Sequence, residues 1–252
     1  MATELSKERF LHISSKDRDN KSQSKYDFTV STNSNYLHQV TSVTLRSVLI
    51  PNTQYNINEY NNELLFDVGA GIIGFKLAEG QYDIAGFISA LEAAFLAVGV
   101  VVTITQNAIT KKLSLAFAAP IDLVGLEGGS TLAPVIGYEE DRSTDISHPM
   151  PNLPQLAGLT KVYVGSDKLS NTTSMISTNG QIYNVFAEID ITVPFAFVEH
   201  QVEKSLDTIN SIHFPEPRDI SHIDIKLYDQ DFNPLNLNGL DVEITLKLHG
   251  LE

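Results

Sequence analysis

Short runs in which apolar and polar residues alternate occupy both ends of the chain and constrain its fold more than any other feature. Such alternation is typical of β-strands with one buried face. We predict eight of these strands, each bounded by Pro, Asn or Gly: YDFTVS, HQVTSVTLRSVLIP, KVYVGS, IYNVFAEIDI, FAFVEH, TINSIHF, ISHIDIKLYD and DVEITLKLHG. Short strands with these turn signals indicate a β-sandwich, and eight is also the number of strands in a jelly roll.

The middle of the chain has a different pattern. ELLFDV and IIGFKLA predict two strands around a glycine turn, and VVVTITQNAITKKLSLAF predicts a hairpin. Between them lies a helix with Asp83 as N-cap and Gly99 as its stop, and its apolar stripe consists of Ile84, Phe87, Ile88, Leu91 and Phe95. We therefore predict a mainly β protein with three parts: a polar N-terminal arm (1–24), a jelly-roll domain (25–52 plus 158–252) and an inserted α+β domain (53–157).

One segment, residues 84–104, resembles a membrane span. It carries Glu92 near its middle, which costs about 2.5–3.5 kcal/mol at a bilayer centre. It also changes at Gly99 from Ala and Leu to a run of valines, which favour strands. We interpret it as a helix followed by a strand and expect no membrane span.

The composition restricts the possible partners and chemistry. The formal charge is −14 with 17 Lys and Arg, which argues against a broad nucleic-acid-binding face. Cys is absent, which excludes disulfides, thiolate catalysis and Cys-based zinc sites. The first residues contain no apolar core of a secretory signal, so we expect none.

The loop DQDFNPLNLNGL begins as a calcium-binding loop does, with Asp229, Asp231 and Asn233 at alternate positions. An EF-hand requires Gly at the sixth position and Glu at the twelfth, where this chain has Pro234 and Leu240. Asp and Asn also favour turns, because their side chains bond to nearby backbone groups. We interpret the loop as a corner between two strands.

Two other patterns suggest ligands only weakly. GAGIIG (69–74) matches the dinucleotide pattern G-x-G-x-x-G, but a strand follows it rather than a helix, so a hairpin bend is the better interpretation. The seven histidines are scattered, and no nucleophile elbow or H-E-x-x-H motif occurs. We therefore expect no catalytic residue, metal site or cofactor, and we do not expect an enzyme.

Several segments together resemble the penton, or minor capsid, proteins of virophages and polinton-like viruses. They include ISSKDRDNKSQSKYDFTV, VTLRSVLIPNTQYNIN, EGQYDIAGFISALEAAF, TKKLSLAF, LAPVIGY, LPQLAGLTKVYVGSDKL, NVFAEIDITVPFAF and ISHIDIKLYDQDFNPLNLNGLDVEITLKL. The resemblance extends over nearly the whole chain, and its specificity comes from the order and coverage of these segments.

The resemblance implies a single jelly roll at each icosahedral vertex, with five copies in a ring surrounded by double jelly-roll major capsid proteins. It also implies a virion protein that assembles in the host cytoplasm, with the polar arm toward the particle interior. Residues 53–157 would project outward, either to contact a host or larger virus or to cap the vertex. The alternatives are a viral fibre or lectin-like attachment protein, which would be trimeric and bind through loops, and a hydrolase on a sandwich scaffold with converging acids and histidines.

Overall fold

A computed structural model describes residues 7–21, 23–32, 37–140, 142–169, 175–178, 181–202 and 211–250. The chain divides into two compact units, which we call the body (residues 1–54 and 159–252) and the insert (residues 55–158). The body strands are β1 (Lys7–Ser14), β2 (Asp27–Ser31), β3 (Val40–Pro51), β9 (Lys161–Gly165), β10 (Met175–Thr178), β11 (Gln181–Asp190), β12 (Val198–Val202), β13 (Ser211–Arg218), β14 (His222–Tyr228) and β15 (Glu243–Gly250). The insert contains β4 (Glu63–Asp67), β5 (Ile72–Lys76), α1 (Ile84–Ala97), β6 (Val102–Gln106), β7 (Leu113–Val124), α2 (Ala133–Ile136) and β8 (Arg142–Pro149).

The body consists of two antiparallel sheets. The first sheet has the order β1-β15-β3-β12, with β13 also paired to β3, and the second has the order β10-β11-β9-β14-β2. Residues from both sheets share one apolar core, including Val43 and Ile244 from the first sheet and Val164 and Ile225 from the second. A core shared between two sheets defines a β-sandwich, so the prediction of a mainly β sandwich is confirmed.

The amino-terminal segment differs from the predicted polar arm. Residues 7–14 form β1, which pairs with β15 along its full length. Ile13 is buried in the core and Leu11 packs against it, while Glu8 and His12 face outward. Edge strands tolerate such charged residues, which is why the segment looked like an arm. With β1 and β10, the described part of the body has ten strands, where the sequence predicted eight.

The insert packs α1 against a sheet of the order β5-β4-β7-β6, with β8 also paired to β7. The helix begins after Asp83, whose side chain accepts a hydrogen bond from the backbone N–H of Gly86 at 2.7 Å. It ends before Gly99, which has a φ of +82°. Phe87, Leu91 and Phe95 are fully buried, so the predicted stripe is confirmed as a core face.

The segment 84–104 is a helix followed by strand β6, as predicted. Glu92 accepts a hydrogen bond from the backbone N–H of Ile104 at 2.9 Å, which ties the helix to that strand. Neither helix in the described part of the chain combines the length and the apolar character needed to cross a bilayer.

Residues 69–74 form the turn and the start of the second strand of the β4–β5 hairpin, so the interpretation as a hairpin bend is confirmed. Gly69 and Gly71 have φ values of +85° and +126°, which residues with a side chain rarely adopt. The carboxylate of Asp67 accepts hydrogen bonds from the backbone N–H groups of both glycines and closes the turn.

A buried asparagine organises the start of the insert. The Asn56 side chain donates to the carbonyls of Tyr82 and Leu156, at 2.8 and 3.1 Å, and accepts from the backbone N–H of Tyr82 at 2.9 Å. These bonds join three segments that are distant in sequence. A single polar side chain therefore satisfies partly buried backbone groups that lie outside the strand pairing.

Candidate assembly surfaces

The loop between β14 and β15 is a corner of the sandwich, because β14 lies in the second sheet and β15 in the first. Asp229 is 2% exposed. Its carboxylate accepts from the backbone N–H groups of Asp231 and Asn233 and from Nε2 of Gln54, each at 2.9 Å. The interpretation of this loop as a corner is confirmed, since its buried acid holds the turn together.

The Asp229 carboxylate experiences two opposing effects. Burial raises its pKa, because desolvation disfavours the charged form, and the hydrogen bonds from Gln54, Asn233 and Asp231 act in the opposite direction. Every hydrogen bond to this carboxylate comes from an N–H group, so an amide in the same place would direct one of its own N–H groups at another N–H group. Gln54 cannot reverse its amide freely, because its Oε1 already accepts from the backbone N–H of Asn236 at 3.1 Å.

We expect Asp229→Asn to destabilise the body by about 1–3 kcal/mol, which is the cost of leaving a buried hydrogen-bonding group unsatisfied. Urea titration followed by peptide-resolved hydrogen exchange measures this change. Asp231→Asn is the matched control, because the Asp231 side chain is exposed in the same loop. We expect that control to change stability by no more than about 0.5 kcal/mol. Equal effects of the two substitutions would contradict a structural role for the Asp229 carboxylate.

The structure disperses the histidines. His148 is buried in the insert, and its Nε2 lies 3.0 Å from the carbonyls of both Ile121 and Asp145, so it donates to these two acceptors. Four others lie on different strands of the first sheet: His12, His200, His213 and His249. Among the residues that the structure describes, no three His, Asp or Glu side chains come together as metal ligands.

The two edges of the first sheet form the most distinctive surfaces of the body. Within the described residues, β1 pairs only with β15, and β12 pairs only with β3. Phe10 on β1 is 62% exposed, and Phe197, which immediately precedes β12, is 61% exposed. Val198 and Val202 are also exposed on β12. In the described part of the chain, each edge therefore presents strand backbone without a second partner strand, together with an apolar side chain.

The backbone holds both edge aromatics in place. Phe10 lies opposite Lys247 in the β1–β15 pairing, and Lys247 forms an ion pair with Glu8 at 2.9 Å. The carbonyl of Phe197 accepts from the backbone N–H of Asn52 at 2.8 Å. We define the β1 edge as the surface around Phe10, and the β12 edge as the surface around Phe197, Val198 and Val202.

The sequence analysis did not identify these edges. A signal for the first was present, because Leu11 and Ile13 alternate with Phe10 and His12. In that alternation Phe10 lies on the polar face, where an aromatic residue is out of place. No comparable signal marks Phe197, since its exposure depends on which strand ends at the margin of the sheet.

Comparisons with known proteins place the chain in a family. A model described as "Family of unknown function (DUF5901)" matches residues 7–223. No curated protein matches the chain by sequence. Similar solved structures include the mavirus penton protein, with 8% identity, a TM-score of 0.48 and coverage of 98% of this chain and 100% of that chain. Another is a chain of the Sputnik virophage structure, with 14% identity, a TM-score of 0.44 and coverage of 96% and 98%. Since the family model spans most of its length, the chain belongs to the DUF5901 family.

Proposed function

We propose that this chain is a structural virion protein, a penton subunit that forms homopentamers at the vertices of an icosahedral capsid. The observation that carries the proposal is the pair of edges on the first sheet that have no further partner strand among the described residues, each with an exposed aromatic side chain. In a closed ring, one patch on each copy must meet a different patch on the next copy. Two dissimilar edges on opposite margins of one sheet meet that requirement.

The strand pairing of the body supports a jelly roll. Because β12 and β13 pair with successive parts of β3, they occupy one position in the first sheet. Without β10, the strands fill eight positions along the chain: β1, β2, β3, β9, β11, β12–β13, β14 and β15. The first position pairs with the eighth, the second with the seventh, the third with the sixth and the fourth with the fifth. Nested antiparallel pairing of eight positions is the pattern of two Greek keys folded over each other. β10 adds a further strand beside β11.

The sequence resemblance supplies the remaining parts of the proposal. The ring is surrounded by major capsid proteins with double jelly rolls, and the insert projects outward from the vertex. The protein acts in the virion after assembly in the host cytoplasm, and it has no catalytic step and no cofactor. The acidic composition is consistent with protein partners rather than direct contact with nucleic acid.

We expect electron microscopy of the purified full-length protein to reveal five-fold rings, with more rings at high than at low ionic strength. The 31 Asp and Glu residues against 17 Lys and Arg make copies repel one another, and salt screens that repulsion. Mass photometry at two salt concentrations gives the oligomer distribution. Trimers would favour an attachment fibre, and a loss of rings on adding salt would contradict apolar edges as the source of association.

A further inference from the structure

Both edges of the first sheet carry an exposed histidine next to their exposed apolar side chains. On β1, His12 lies two residues after Phe10 and therefore on the same face of the strand. On β12, His200 lies between Val198 and Val202, on the face that these two side chains share. All five side chains are exposed. The two histidines therefore accompany the residues from which we expect the ring contact to form.

His12 has one acidic neighbour. Its imidazole Nε2 lies 3.9 Å from a carboxylate oxygen of Glu243 on β15, and its Nδ1 lies 3.3 Å from the hydroxyl oxygen of Thr245 on the same strand. The His12 side chain is 58% exposed, and the Glu243 side chain is 36% exposed. The charge that His12 gains on protonation is therefore balanced by a single carboxylate that is itself in contact with water.

His200 lies on the same row of the sheet as that carboxylate but farther from it. His200 pairs with Leu49 of β3, and Leu49 pairs on its other side with Glu243. Neighbouring strands are about 4.8 Å apart, so the backbone of His200 lies about 10 Å from that of Glu243. Within one copy, Glu243 therefore pairs directly with His12 and not with His200.

The other charged groups on the outward face of this sheet are already engaged or lie elsewhere on it. Glu8 of β1 binds Lys247 at 2.9 Å and lies 3.9 Å from His249. The hydrogen bond from Lys247 lowers the pKa of Glu8, and the charges of His249 and Arg46 act in the same direction. His213 lies on β13, which pairs with the other half of β3. Glu8 is therefore ionised and paired, and it adds no free carboxylate for the two edge histidines.

Protonation has different consequences for a free copy and for a ring contact. In a free copy, water solvates an exposed imidazolium. In the contact, the imidazolium would lie against the apolar side chains of the next copy, where burial disfavours the charged form. The contact would also bring His12 of one copy toward His200 of the next, and two like charges repel. Neutral imidazoles carry neither cost, so the contact favours the deprotonated histidines.

A second effect acts in the opposite direction. Protonation of all seven histidines would halve the formal charge of −14 and weaken the general repulsion between copies. That repulsion acts through the solvent, and its range falls from about 10 Å at 0.1 M salt to about 3 Å at 1 M. Groups that are removed from water at a contact are screened much less. At high ionic strength the edge histidines therefore decide the direction of the response.

We propose that the ring contact is a pH switch, in which protonation of His12 and His200 separates the copies. The inference rests on the proposed penton function and adds the condition under which the ring opens. Histidine titrates near pH 6.5, so lowering the pH from about 7.5 to about 5.5 weakens association by about tenfold for each histidine that must stay neutral. Two such histidines give a loss of about a hundredfold in the association constant of every contact.

Mass photometry of the purified full-length protein at high salt, at about pH 7.5 and about pH 5.5, tests the switch. We expect rings at the higher pH, mainly monomers at the lower pH, and rings again when the pH is restored. The double variant His12→Gln with His200→Gln gains no charge at either edge, so its rings should persist at the lower pH. His222→Gln is the matched control, because His222 is exposed but lies opposite Ser31 in the second sheet. Its rings should dissociate as those of the original protein do.

Rings that are equally or more abundant at the lower pH would overturn the switch and leave the penton proposal in place. Dissociation of the double variant at the lower pH would also overturn it, because other groups would then cause the loss. The same holds if circular dichroism shows that the protein unfolds at the lower pH. An absence of rings at the higher pH would contradict the penton proposal and the switch together, so the two failures are distinguishable.

Discussion

Phe10→Asp or Phe197→Asp is expected to abolish five-fold rings while leaving a folded monomer. Each side chain is more than 60% exposed, so the substitution removes little from the core. At a ring contact the substitution would place a carboxylate in an apolar interface. We expect the association free energy to weaken by about 2 kcal/mol or more, which is the loss found when a central interface residue is truncated. That is roughly a thirty-fold weaker association for every contact in the ring. Mass photometry at high salt gives the distribution of oligomers.

Mixing the two variants tests whether the two edges meet each other. A Phe10→Asp copy keeps an intact β12 edge, and a Phe197→Asp copy keeps an intact β1 edge. If these edges are partners, the mixture forms one good contact per pair and yields heterodimers without rings. Dimers of one variant alone would instead indicate that an edge pairs with itself and would contradict the proposed ring.

The matched control for the edge variants is Ile182→Asp. Ile182 is 66% exposed, but it lies on β11 of the second sheet. There Ile182 lies opposite Ser177 of β10, outside both edges of the first sheet. Rings should persist in this variant. A loss of rings would show that any added acid in the body prevents assembly. It would contradict the proposal that the β1 and β12 edges form the ring contact.

Phe95→Ala should have the largest effect on the stability of the insert. The Phe95 side chain is fully buried, and its ring centroid lies 5.0, 4.9 and 5.4 Å from those of Phe66, Phe75 and Phe117. Removing it leaves a cavity between α1 and the sheet, for which we expect a loss of about 3–5 kcal/mol. Hydrogen exchange of peptides from residues 55–158, measured along a urea titration, reports this loss locally.

The adjacent residue offers a control of the same chemical kind. Leu96 is 64% exposed on α1, so Leu96→Ala removes an apolar side chain without opening a cavity. We expect that variant to remain within about 0.5 kcal/mol of the original protein. A comparable loss for both variants would mean that the helix is not anchored through the stripe of Phe87, Leu91 and Phe95.

Local patterns predicted those features that depend on neighbours in sequence. The cap at Asp83, the stop at Gly99 and the stripe along α1 follow from helical periodicity, which repeats within a few residues. The two glycines of the β4–β5 hairpin and the Asp229 corner follow from turn chemistry. In each case the residues that carry the signal are also the residues that make the contacts.

Features that depend on pairing partners were not predicted. β1 looked polar because an edge strand needs only one apolar face, and only its register with β15 identifies it as part of the sheet. The role of Asn56 was equally hidden, since its acceptors belong to Tyr82 and Leu156. β7 also changes partners along its length, from β6 at Leu113–Phe117 to β4 at Asp122 and Leu123, and no local pattern encodes that change.

By itself, therefore, the sequence determined the mainly β character of the chain, the helix of residues 84–97 and the turns at Gly69 and Asp229. These depend on backbone preferences and on apolar periodicity within short segments. Only the tertiary structure decided which strands are margins of a sheet, and hence that Phe10 and Phe197 are exposed. The physical reason is that a strand's alternation specifies which side chains face the core, whereas its place in the sheet is set by hydrogen bonds to distant residues.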